Sequence, residues 1–425
     1  MTVSANGSRR LRVLVLDEGI PYPPNAGKSA RTWNLLRRLA SRHSVCLLCY
    51  GHPNAPGTME ARNVGIDLRL VEPRANPEGF RLYVRLFLNL FSVFPFSVAK
   101  HYSRAFQRQC DELLNGDSWD LIQCEWTPYA RFLAHTAKAP VLIATHNVES
   151  QIWARRAEHA GNPFAKVFFR SQEWKMRRFE KQALLLASAA TVVTSLELAT
   201  LRSWGVTNIN LVPNGVDLES RSATPEAEVE DELLFLASLD WYPNLDALDY
   251  FVKNILPAVR ARRPSVKLRI VGRRPAKSVI EQYSCLPGID FVGEVKEVGS
   301  YVGRAAVIVV PLRIGGGSRI KILEALAAGK AVISTTIGAE GLDVIAGEHL
   351  LIADSPEEFA AGVEDLLAST RLRQLLGDNG RKLVTERYGW DQIANRLEKV
   401  WYDVSGHQTA LRGVPVSPLG LEVTQ

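Results

Sequence analysis

Short apolar runs alternate along the chain with longer segments in which apolar residues recur every three or four positions. The short runs are typical of strands buried on both faces, and the longer spacing predicts helices. In the first half, the predicted strands are Leu11–Leu16, Val45–Tyr50, Ile66–Val71, Leu121–Cys124, Val141–Thr145 and Thr191–Thr194. In the second half, they are Leu233–Leu239, Val266–Val271, Ile289–Val292, Val307–Val310, Val332–Thr335 and Leu350–Ile352. This alternation predicts an α/β protein with two Rossmann-like, doubly wound parallel sheets.

A segment of different composition separates the two groups of strands. Residues 220–232 are rich in Ser, Thr, Pro and acidic residues, which predicts an exposed linker. The linker divides an N-terminal domain, residues 11–219, from a C-terminal domain, residues 233–388. Two such domains place a cleft between the carboxyl ends of their sheets.

The two ends of the chain differ from the rest. Apolar residues after Gly389 recur at helical spacing and predict a last helix over residues 389–405. Residues 1–10 and 406–425 show no such periodicity and are predicted to be flexible.

Composition narrows the class of protein. A chain of 425 residues with 46% hydrophobic and 23% charged residues can build a large core without metals or disulfides. The five cysteines form no disulfide-like framework, and the Cys46-x-x-Cys49 pair falls in a predicted buried strand, so we expect reduced thiols and a cytoplasmic protein. No apolar run reaches membrane-spanning length.

Two segments combine features that could meet a charged surface. Residues 155–181 are basic with interleaved aromatic residues, and Phe87–Phe96 is apolar. The basic segment could contact nucleic acid, anionic lipid or a phosphorylated acceptor, although a solvated helix with an apolar core face is the commoner explanation. Phe87–Phe96 fits either a buried helix end or a lipid-facing surface.

The most informative segment is Gly315-Gly316-Gly317-Ser318-Arg319, followed by Ile-Lys-Ile-Leu-Glu. It lies between a predicted strand and a predicted helix. Glycines allow close backbone approach, and free N–H groups at a helix start, with basic side chains nearby, suit a phosphate. Lys321 and Glu324 lie three residues apart, so both can project from one helix face, and the carboxylate is placed to bind a ribose diol. The segment indicates a nucleotide-diphosphate pocket. The ordinary alternative is a glycine-rich connecting loop before a helix, followed by an ion pair on the protein surface.

Other nucleotide motifs are incomplete. Gly27-Lys28-Ser29 ends like a P-loop, but Tyr22 stands where that motif needs its first glycine. Gly315-x-Gly317-x-x-Ile320 lacks the third glycine of a dinucleotide fingerprint. His146 follows a predicted strand directly, at the sheet edge where ligands bind, although a lone histidine is more often structural.

Taken in order along the chain, a larger set of motifs identifies a resemblance. The segments are Val212–Asp217, Leu239–Asn244 with Asp246-Ala247, Val271–Arg273, Phe291–Val295, Gly315–Gly329, Ala331–Thr335, Gly338–Leu342 and Trp390. They resemble the GT-B glycosyltransferases of family 4, which are retaining enzymes that use nucleotide sugars. The subgroup is the one with a G-x-G-x-R-x-K-x-L-E donor loop, and the likeness covers residues 11–404.

The resemblance implies roles for particular residues. It places the donor on the C-terminal domain, the acceptor on the N-terminal domain, and the last helix back on the N-terminal domain. The implied donor-binding residues are Gly27, Arg273, Gly315, Gly316, Gly317, Ser318, Arg319, Lys321 and Glu324, and the implied catalytic residues are His146 and Lys321. Glu324 matches the second glutamate of the family's E-x7-E element, which binds the ribose.

The chain departs from the family pattern at two places. Gly316 stands where the first glutamate of E-x7-E usually contacts the sugar. Many members also carry an Arg and a Lys just after the first strand of the second domain, where this chain has Leu239 and Asn244. Arg319 and Lys321 are then the best local candidates for the positive charge at the diphosphate.

The resulting expectation is a retaining hexosyltransferase that moves a sugar from a nucleotide-diphosphate sugar to a glycan or lipid-linked acceptor in polysaccharide or glycoconjugate biosynthesis. We expect no required metal or other cofactor and no nucleic-acid partner. The protein would be cytoplasmic, with peripheral contact to anionic lipid at the inner face of the cytoplasmic membrane. The alternatives are a non-catalytic nucleotide-sugar or glycan-binding protein and a GT-B nucleotide-sugar epimerase. The donor base, the sugar and the acceptor do not follow from the sequence.

Overall fold

The computed structural model describes residues 9–24, 27–73, 79–133, 138–158, 160–218, 227–314 and 319–406. Within them, two fully parallel sheets form the centres of two domains. The first sheet contains β1 (Arg12–Leu16), β2 (Ser44–Tyr50), β3 (Asp67–Val71), β4 (Leu121–Cys124), β5 (Val141–Ala144), β6 (Ala189–Val192) and β7 (Ile209–Leu211). The second contains β8 (Val229–Ser238), β9 (Lys267–Arg273), β10 (Ile289–Gly293), β11 (Ala305–Val310), β12 (Ala331–Ser334) and β13 (Leu351–Ile352).

Helices cover both faces of each sheet. Around the first sheet lie α1 (Gly27–Leu39), α2 (Thr58–Asn63), α3 (Phe80–Asn89), α4 (Phe96–His101), α5 (Arg104–Gly116), α6 (Glu149–Glu158), α7 (Pro163–Leu186) and α8 (Ser195–Ser203), with a 3-10 turn at Thr127–Leu133. Around the second lie α9 (Tyr242–Tyr250), a π-helical stretch (Phe251–Ile255), α10 (Leu256–Arg262), α11 (Lys277–Ser284), α12 (Gly299–Arg304), α13 (Ile320–Ala327), α14 (Thr336–Ala339), α15 (Pro356–Ala368) and α16 (Thr370–Arg387). The last helix is α17 (Trp390–Ser405). The predicted fold class is confirmed, and every predicted strand is present with small shifts at its ends.

Strand order places a topological switch point in each sheet. The orders are β3-β2-β1-β4-β5-β6-β7 and β10-β9-β8-β11-β12-β13. The chain therefore leaves in opposite directions from β1 and β4, and likewise from β8 and β11. In open parallel sheets, ligands bind in the crevice that this divergence opens at the carboxyl ends of the strands.

The linker prediction was wrong for its last four residues. Strand β8 begins at Val229, so residues 229–232 belong to the sheet rather than to the linker. Their polar character is accommodated by ion pairs, because the buried carboxylate of Glu232 lies 3.2 Å from the guanidinium of Arg269 on the adjacent strand β9. Residues 219–226 lie outside the described residues.

The predicted flexible N-terminus also needs correction at its end. Arg9 is held against the first domain, since its guanidinium lies 2.8 Å from Asp120 and its carbonyl accepts a hydrogen bond from Tyr402 at 2.9 Å. Residues 1–8 and 407–425 lie outside the described residues.

The chain passes between the two domains twice, and the two connecting segments lie next to each other. Val216, on the segment leaving the first domain, donates its backbone N–H to the carbonyl of Tyr388 at 2.8 Å, and it forms a parallel bridge with Gly389. The chain then enters α17, whose apolar face packs into the core of the first domain through residues that include Trp390, Leu397 and Trp401. Arg42, in the turn after α1, adds an ion pair to Glu398 at 2.6 Å. Helix α17 is thus part of the N-terminal domain.

Candidate active site

The glycine-rich loop joins β11 to α13 at the switch point of the second sheet. Four residues predicted to bind the donor, Gly315, Gly316, Gly317 and Ser318, lie outside the described residues. The side chains that flank the loop are described, and they carry the geometry of the site.

Lys321 lies in the first turn of α13, beside the start of α9. Its ammonium donates a hydrogen bond to Oδ1 of Asn244 at 2.8 Å. Asn244 is itself fixed, because its amide donates to the carbonyl of Ser238, the last residue of β8, at 2.8 Å. Burial and the nearby charge of Arg319 lower the pKa of Lys321 to about 8, although Glu324 opposes this shift. Lys321 is therefore a half-buried cation that would gain from an added negative charge.

Arg319 has a different environment. Its guanidinium is buried and donates to the carbonyl of Ile337 at 2.7 Å and to the carboxylate of Glu340 at 3.3 Å. Burial lowers the pKa of Arg319, while the charge of Glu340 opposes that shift. Arg319 is thus already hydrogen-bonded to the segment that follows β12. Of the two predicted cations, Lys321 is therefore the better candidate to bind a diphosphate.

Two further predicted donor residues lie on the same edge. Glu324 is half-buried, one turn beyond Lys321 on α13, where its charge raises the pKa of that lysine. Arg273 ends β9 and pairs with Ser238 across the sheet. The preceding residue, Gly272, must be glycine for a steric reason, because a Cβ atom there would clash with the carbonyl oxygen of Ala237.

His146 follows β5 on the first sheet and faces a carboxylate. Its Nε2 lies 2.6 Å from the backbone oxygen of Glu125 and 3.4 Å from Oε2 of the same residue. A carbonyl oxygen only accepts, so Nε2 carries the hydrogen, and Nδ1 keeps its lone pair in the neutral ring. Burial lowers the pKa of His146, so the ring is neutral at pH 7 even though Glu125 favours the charged form.

A buried hydrogen-bond chain positions Glu125. Gln123 donates to Oε1 of Glu125, and Thr32 donates to Oε2 at 3.0 Å. The indole N–H of Trp401 donates to Oε1 of Gln123 at 2.6 Å. Burial alone would raise the pKa of Glu125, but the hydrogen bonds from His146 and Gln123 and the charge of Arg31 bring it down to about 2. The C-terminal helix is thereby linked to the candidate histidine.

Gly27 begins α1 at the switch point of the first sheet. Near it lie charged and aromatic side chains that the sequence analysis did not name as site residues. Lys28 binds the carboxylate of Asp17, and its ammonium lies 3.0 Å from Oε1 of Glu18. It also lies 5.4 Å from the ring centroid of Trp126. The sequence could have indicated Glu18 and Trp126 as site residues, because each lies two residues beyond a predicted strand, as His146 lies beyond β5.

The two domains approach each other closely beside Arg319. A small crevice there is lined by residues of both domains, namely Val193, Thr194, Pro213, Asn214, Arg319, Leu323, Glu340, Gly341, Leu342 and Tyr388. Gly341 has a φ of +80°, and a Cβ atom on it would lie 2.7 Å from Cβ of Thr194. The position therefore requires glycine for two reasons, its backbone conformation and its proximity to the other domain.

Family models match both halves of the chain. The model described as "Glycosyl transferase 4-like domain" matches residues 26–215, and the model described as "Glycosyl transferases group 1" matches residues 230–369. The two matches follow each other on the two domains seen in the structure. They define the chain as a glycosyltransferase of the GT-B class.

Individual relatives agree with this class. Phosphatidyl-myo-inositol mannosyltransferase of Mycolicibacterium smegmatis is 29% identical over 204 residues, which cover 46% of this chain and 52% of that protein. Lipopolysaccharide 1,2-N-acetylglucosaminetransferase of Salmonella typhimurium is 25% identical over 219 residues, covering 46% and 57%. The chain thus spans about half the length of these curated relatives.

A solved structure shares the whole fold. Sucrose-phosphate synthase from Thermosynechococcus elongatus superposes with a TM-score of 0.69 at 20% identity, covering 93% of this chain and all of that one. Because the two family models together match both domains, this chain belongs to family 4 of the GT-B glycosyltransferases, which confirms the family inferred from its motifs. The subgroup defined by the donor loop stays a prediction.

Proposed function

We propose that the protein is a retaining hexosyltransferase that moves a sugar from a nucleotide-diphosphate sugar to a glycan or lipid-linked acceptor in glycoconjugate biosynthesis. The observation that carries the proposal is the half-buried ammonium of Lys321, hydrogen-bonded to Asn244 at the switch point of the second sheet. Membership of the family and the names of the two curated relatives support it.

The site residues have distinct proposed roles. Lys321 binds the diphosphate and stabilises the negative charge that develops as the sugar leaves. Glu324 accepts hydrogen bonds from the ribose hydroxyls. His146 presents Nδ1 to a hydroxyl of the donor sugar, because its Nε2–H is already bound to Glu125.

The proposed reaction keeps the configuration of the sugar. The bond between the anomeric carbon and the diphosphate oxygen breaks, and the electron pair leaves with the diphosphate. An acceptor hydroxyl forms the new bond from the same face and passes its proton to a diphosphate oxygen. This step needs no protein nucleophile, and we propose that it needs no metal. Closure of the domains would limit transfer to water.

The same proposal places the protein in the cytoplasm, in contact with anionic lipid at the membrane. No helix within the described ranges is both long and apolar enough to cross a membrane. However, α3 and the turn after it expose large apolar side chains, which we call the apolar face: Phe80, Tyr83, Phe87, Phe91 and Val93. Exposed apolar patches of this kind mark contact surfaces.

Basic residues border the apolar face. Arg81 and Arg85 lie on α3 itself, and α7 contributes part of the predicted basic segment. Lys175 of α7 holds α3 in place, since its ammonium donates to the carbonyls of Asn89 at 2.6 Å and Leu90 at 3.0 Å. Apolar side chains flanked by cations fit an anionic lipid surface.

The enzymatic proposal is tested by donor turnover. The full chain is incubated with UDP-, GDP- and ADP-sugars, with and without glycan acceptors, and the released nucleotide and the anomeric configuration of the product are measured. Release of nucleotide with a retained product is expected. Sugar isomerisation without release of nucleotide would indicate the epimerase, and binding without turnover across the panel would indicate a non-catalytic protein.

Membrane contact is tested by cosedimentation with vesicles of 70% phosphatidylcholine and 30% phosphatidylglycerol. We expect the Phe87→Ser/Phe91→Ser variant to lose binding. Leu375→Ser is the matched control, because Leu375 is an exposed apolar residue on α16 of the other domain. Equal sedimentation of the wild type with and without vesicles at physiological salt would refute the contact.

A further inference from the structure

We propose that Glu180, on α7, is a positioning residue for the transfer reaction: its carboxyl group holds the start of α6 and thereby fixes the short turn that carries His146. The inference rests on the proposed function, because that function assigns His146 to the donor sugar. It adds a buried residue of another helix, which acts on the reaction only through the histidine.

The turn that carries His146 is short. Residues 145–148 are all that connects β5 to α6. At the beginning of the turn, the backbone N–H and the hydroxyl of Thr145 both donate to the carbonyl of Thr191 at 2.9 Å. His146 comes next, and only two residues separate it from α6. The position of α6 therefore determines where the second half of the turn lies.

The residue that precedes α6 cannot cap this helix. The first N–H groups of a helix have no acceptor within the helix, and a polar side chain just before it commonly supplies one. Here the preceding residue is Val148, whose side chain is apolar and buried. The acceptor has to come from another element of the fold.

Glu180 supplies an acceptor for each of the first two N–H groups. Its Oε1 accepts the backbone N–H of Glu149 at 2.7 Å, and its Oε2 accepts the backbone N–H of Ser150 at 2.9 Å. Glu180 is only 1% exposed, so it is shielded from water and from a substrate in the cleft. A carboxyl group at this place also faces the positive end of the helix dipole.

The environment of Glu180 shows that α6 and this side chain depend on each other. Burial and then the charge of Glu149 raise the pKa of Glu180, whereas the hydrogen bonds from Ser150 and from the Glu149 N–H oppose the rise. Without the carboxyl group, both N–H groups would lose their acceptor. The first turn of α6 would then have to shift or unwind to find another.

The first turn of α6 also contacts the segment that binds the histidine ring. Oε1 of Glu149 accepts the indole N–H of Trp126 at 2.9 Å. Trp126 directly follows Glu125, whose backbone oxygen accepts the Nε2–H of His146 at 2.6 Å. A shift of α6 would therefore disturb both the turn that carries the histidine and the segment that orients its ring.

The kinetic experiment compares Glu180→Gln and Glu180→Met in the full-length protein. Glutamine keeps one acceptor oxygen, and methionine keeps none. We expect kcat to fall about tenfold in Glu180→Gln and further in Glu180→Met, because a small displacement of a group at the reacting sugar slows the reaction. The affinity for UDP or GDP should not change, since Lys321 and Glu324 of the other domain are assigned to the nucleotide.

NMR of the full-length protein labelled with ¹⁵N-histidine reports on the ring itself. The signals of His146 are identified by their absence from the spectrum of His146→Gln. In the wild type, they should show a neutral ring with its hydrogen on Nε2, as the bond to Glu125 requires. In both Glu180 variants, we expect a mixture of the two ring tautomers, because the turn no longer enforces that bond.

Glu232→Gln is the matched control for the loss of a buried glutamate. Glu232 is 3% exposed and lies opposite Lys267, the first residue of β9, at the end of the second sheet away from the candidate site. This variant should lower stability in urea denaturation but leave kcat and the His146 signals unchanged. A purely structural role of Glu180 would give the same result. Circular dichroism verifies that each variant is folded under the assay conditions.

Two results would overturn the proposal. One is a kcat close to that of the wild type in both Glu180 variants, and the other is a set of His146 signals that stays unchanged while kcat falls. In either case, the transferase proposal stands if the wild type turns over donor sugars. If the wild type turns over no donor, the proposed function fails, and the His146 signals alone decide whether Glu180 fixes the turn.

Discussion

Replacing Lys321 by methionine tests the central assignment, because stability and donor binding should respond differently. In the unliganded protein, burial opposes the charge of Lys321, and its pKa is lowered from 10.5 to about 8. A donor diphosphate supplies the missing negative charge. We therefore expect Lys321→Met to weaken donor binding while leaving the unliganded protein about as stable as the wild type, or more stable.

The magnitudes follow from this environment. The lowering of the Lys321 pKa from 10.5 to about 8 corresponds to about 3 kcal/mol of destabilisation by the charged form. The hydrogen bond to Asn244 offsets about 1 kcal/mol of this. Loss of a charge-assisted bond to the diphosphate, worth about 1.5–3 kcal/mol, should weaken donor binding about ten- to 150-fold.

The pH dependence has a defined sign. The folded-state pKa of Lys321 lies below its unfolded value, so the folded protein binds fewer protons between pH 8 and 10.5. The stability of the wild type relative to Lys321→Met should therefore rise with pH across this window. Donor affinity should fall in the same window, as the ammonium loses its proton, and the variant should lack this titration.

The assay is calorimetric titration of UDP and GDP, with urea denaturation, from pH 7 to 9.5. Lys330→Met is the control, because Lys330 lies just beyond the other end of α13 and has a partly buried ion pair with Glu228 at 3.1 Å. Its nucleotide affinity should equal that of the wild type. An affinity of Lys321→Met within twofold of the wild type, or an unchanged pH profile, would refute the assignment.

Three further variants and one treatment test other parts of the proposal. Glu324→Gln should weaken binding of UDP or GDP several-fold but leave binding of the matching 2′,3′-dideoxynucleotide unchanged in calorimetry; equal losses would contradict a ribose contact. Trp401→Phe should lower the free energy of unfolding by about 1–3 kcal/mol, because a buried oxygen of Gln123 loses its donor; an unchanged urea midpoint would contradict this. Gly272→Ala should lower stability by about 1–3 kcal/mol by overpacking against Ala237, measured by thermal melting, and an unaltered Tm would exclude it. Donor turnover should persist in EDTA, and its abolition with rescue by Mg²⁺ would show a metal requirement.

Much of the fold could be predicted because it rests on local pattern. Buried parallel strands are short apolar runs, and the change to helical spacing marks each crossover. Strand β7 was missed because Ile209–Leu211 is only three residues long and half-buried. Residues 229–232 were assigned to the linker because they are mostly acidic. The burial of Glu232 in a strand becomes predictable only when its ion-pair partner Arg269, on another strand, is known.

The sequence predicted only those candidate site residues that lie beside the end of a strand or loop. His146 and Lys321 stand beside strand and loop boundaries visible in the sequence, and their roles stay predictions. Their partners are set by distant packing, since Lys321 meets Asn244 across 77 positions and Trp401 meets Gln123 across 278. No local sequence pattern predicts a contact between residues so far apart in the chain. Glu18 and Trp126 follow the same strand-end rule as His146 and could have been named from the sequence.

The contact between Lys321 and Asn244 gives a physical reason for one departure from the family pattern. Asn244 stands in the region where many relatives carry a lysine, and the ammonium of Lys321 reaches its side chain from α13. A positive charge is therefore supplied at this position by another element of the same domain. The arginine that many relatives carry in the same region is not replaced in this way among the described residues, because Leu239 is fully buried and Arg319 is bound to Ile337 and Glu340. Binding of the diphosphate should thus depend on Lys321 more steeply than in relatives that carry both an arginine and a lysine.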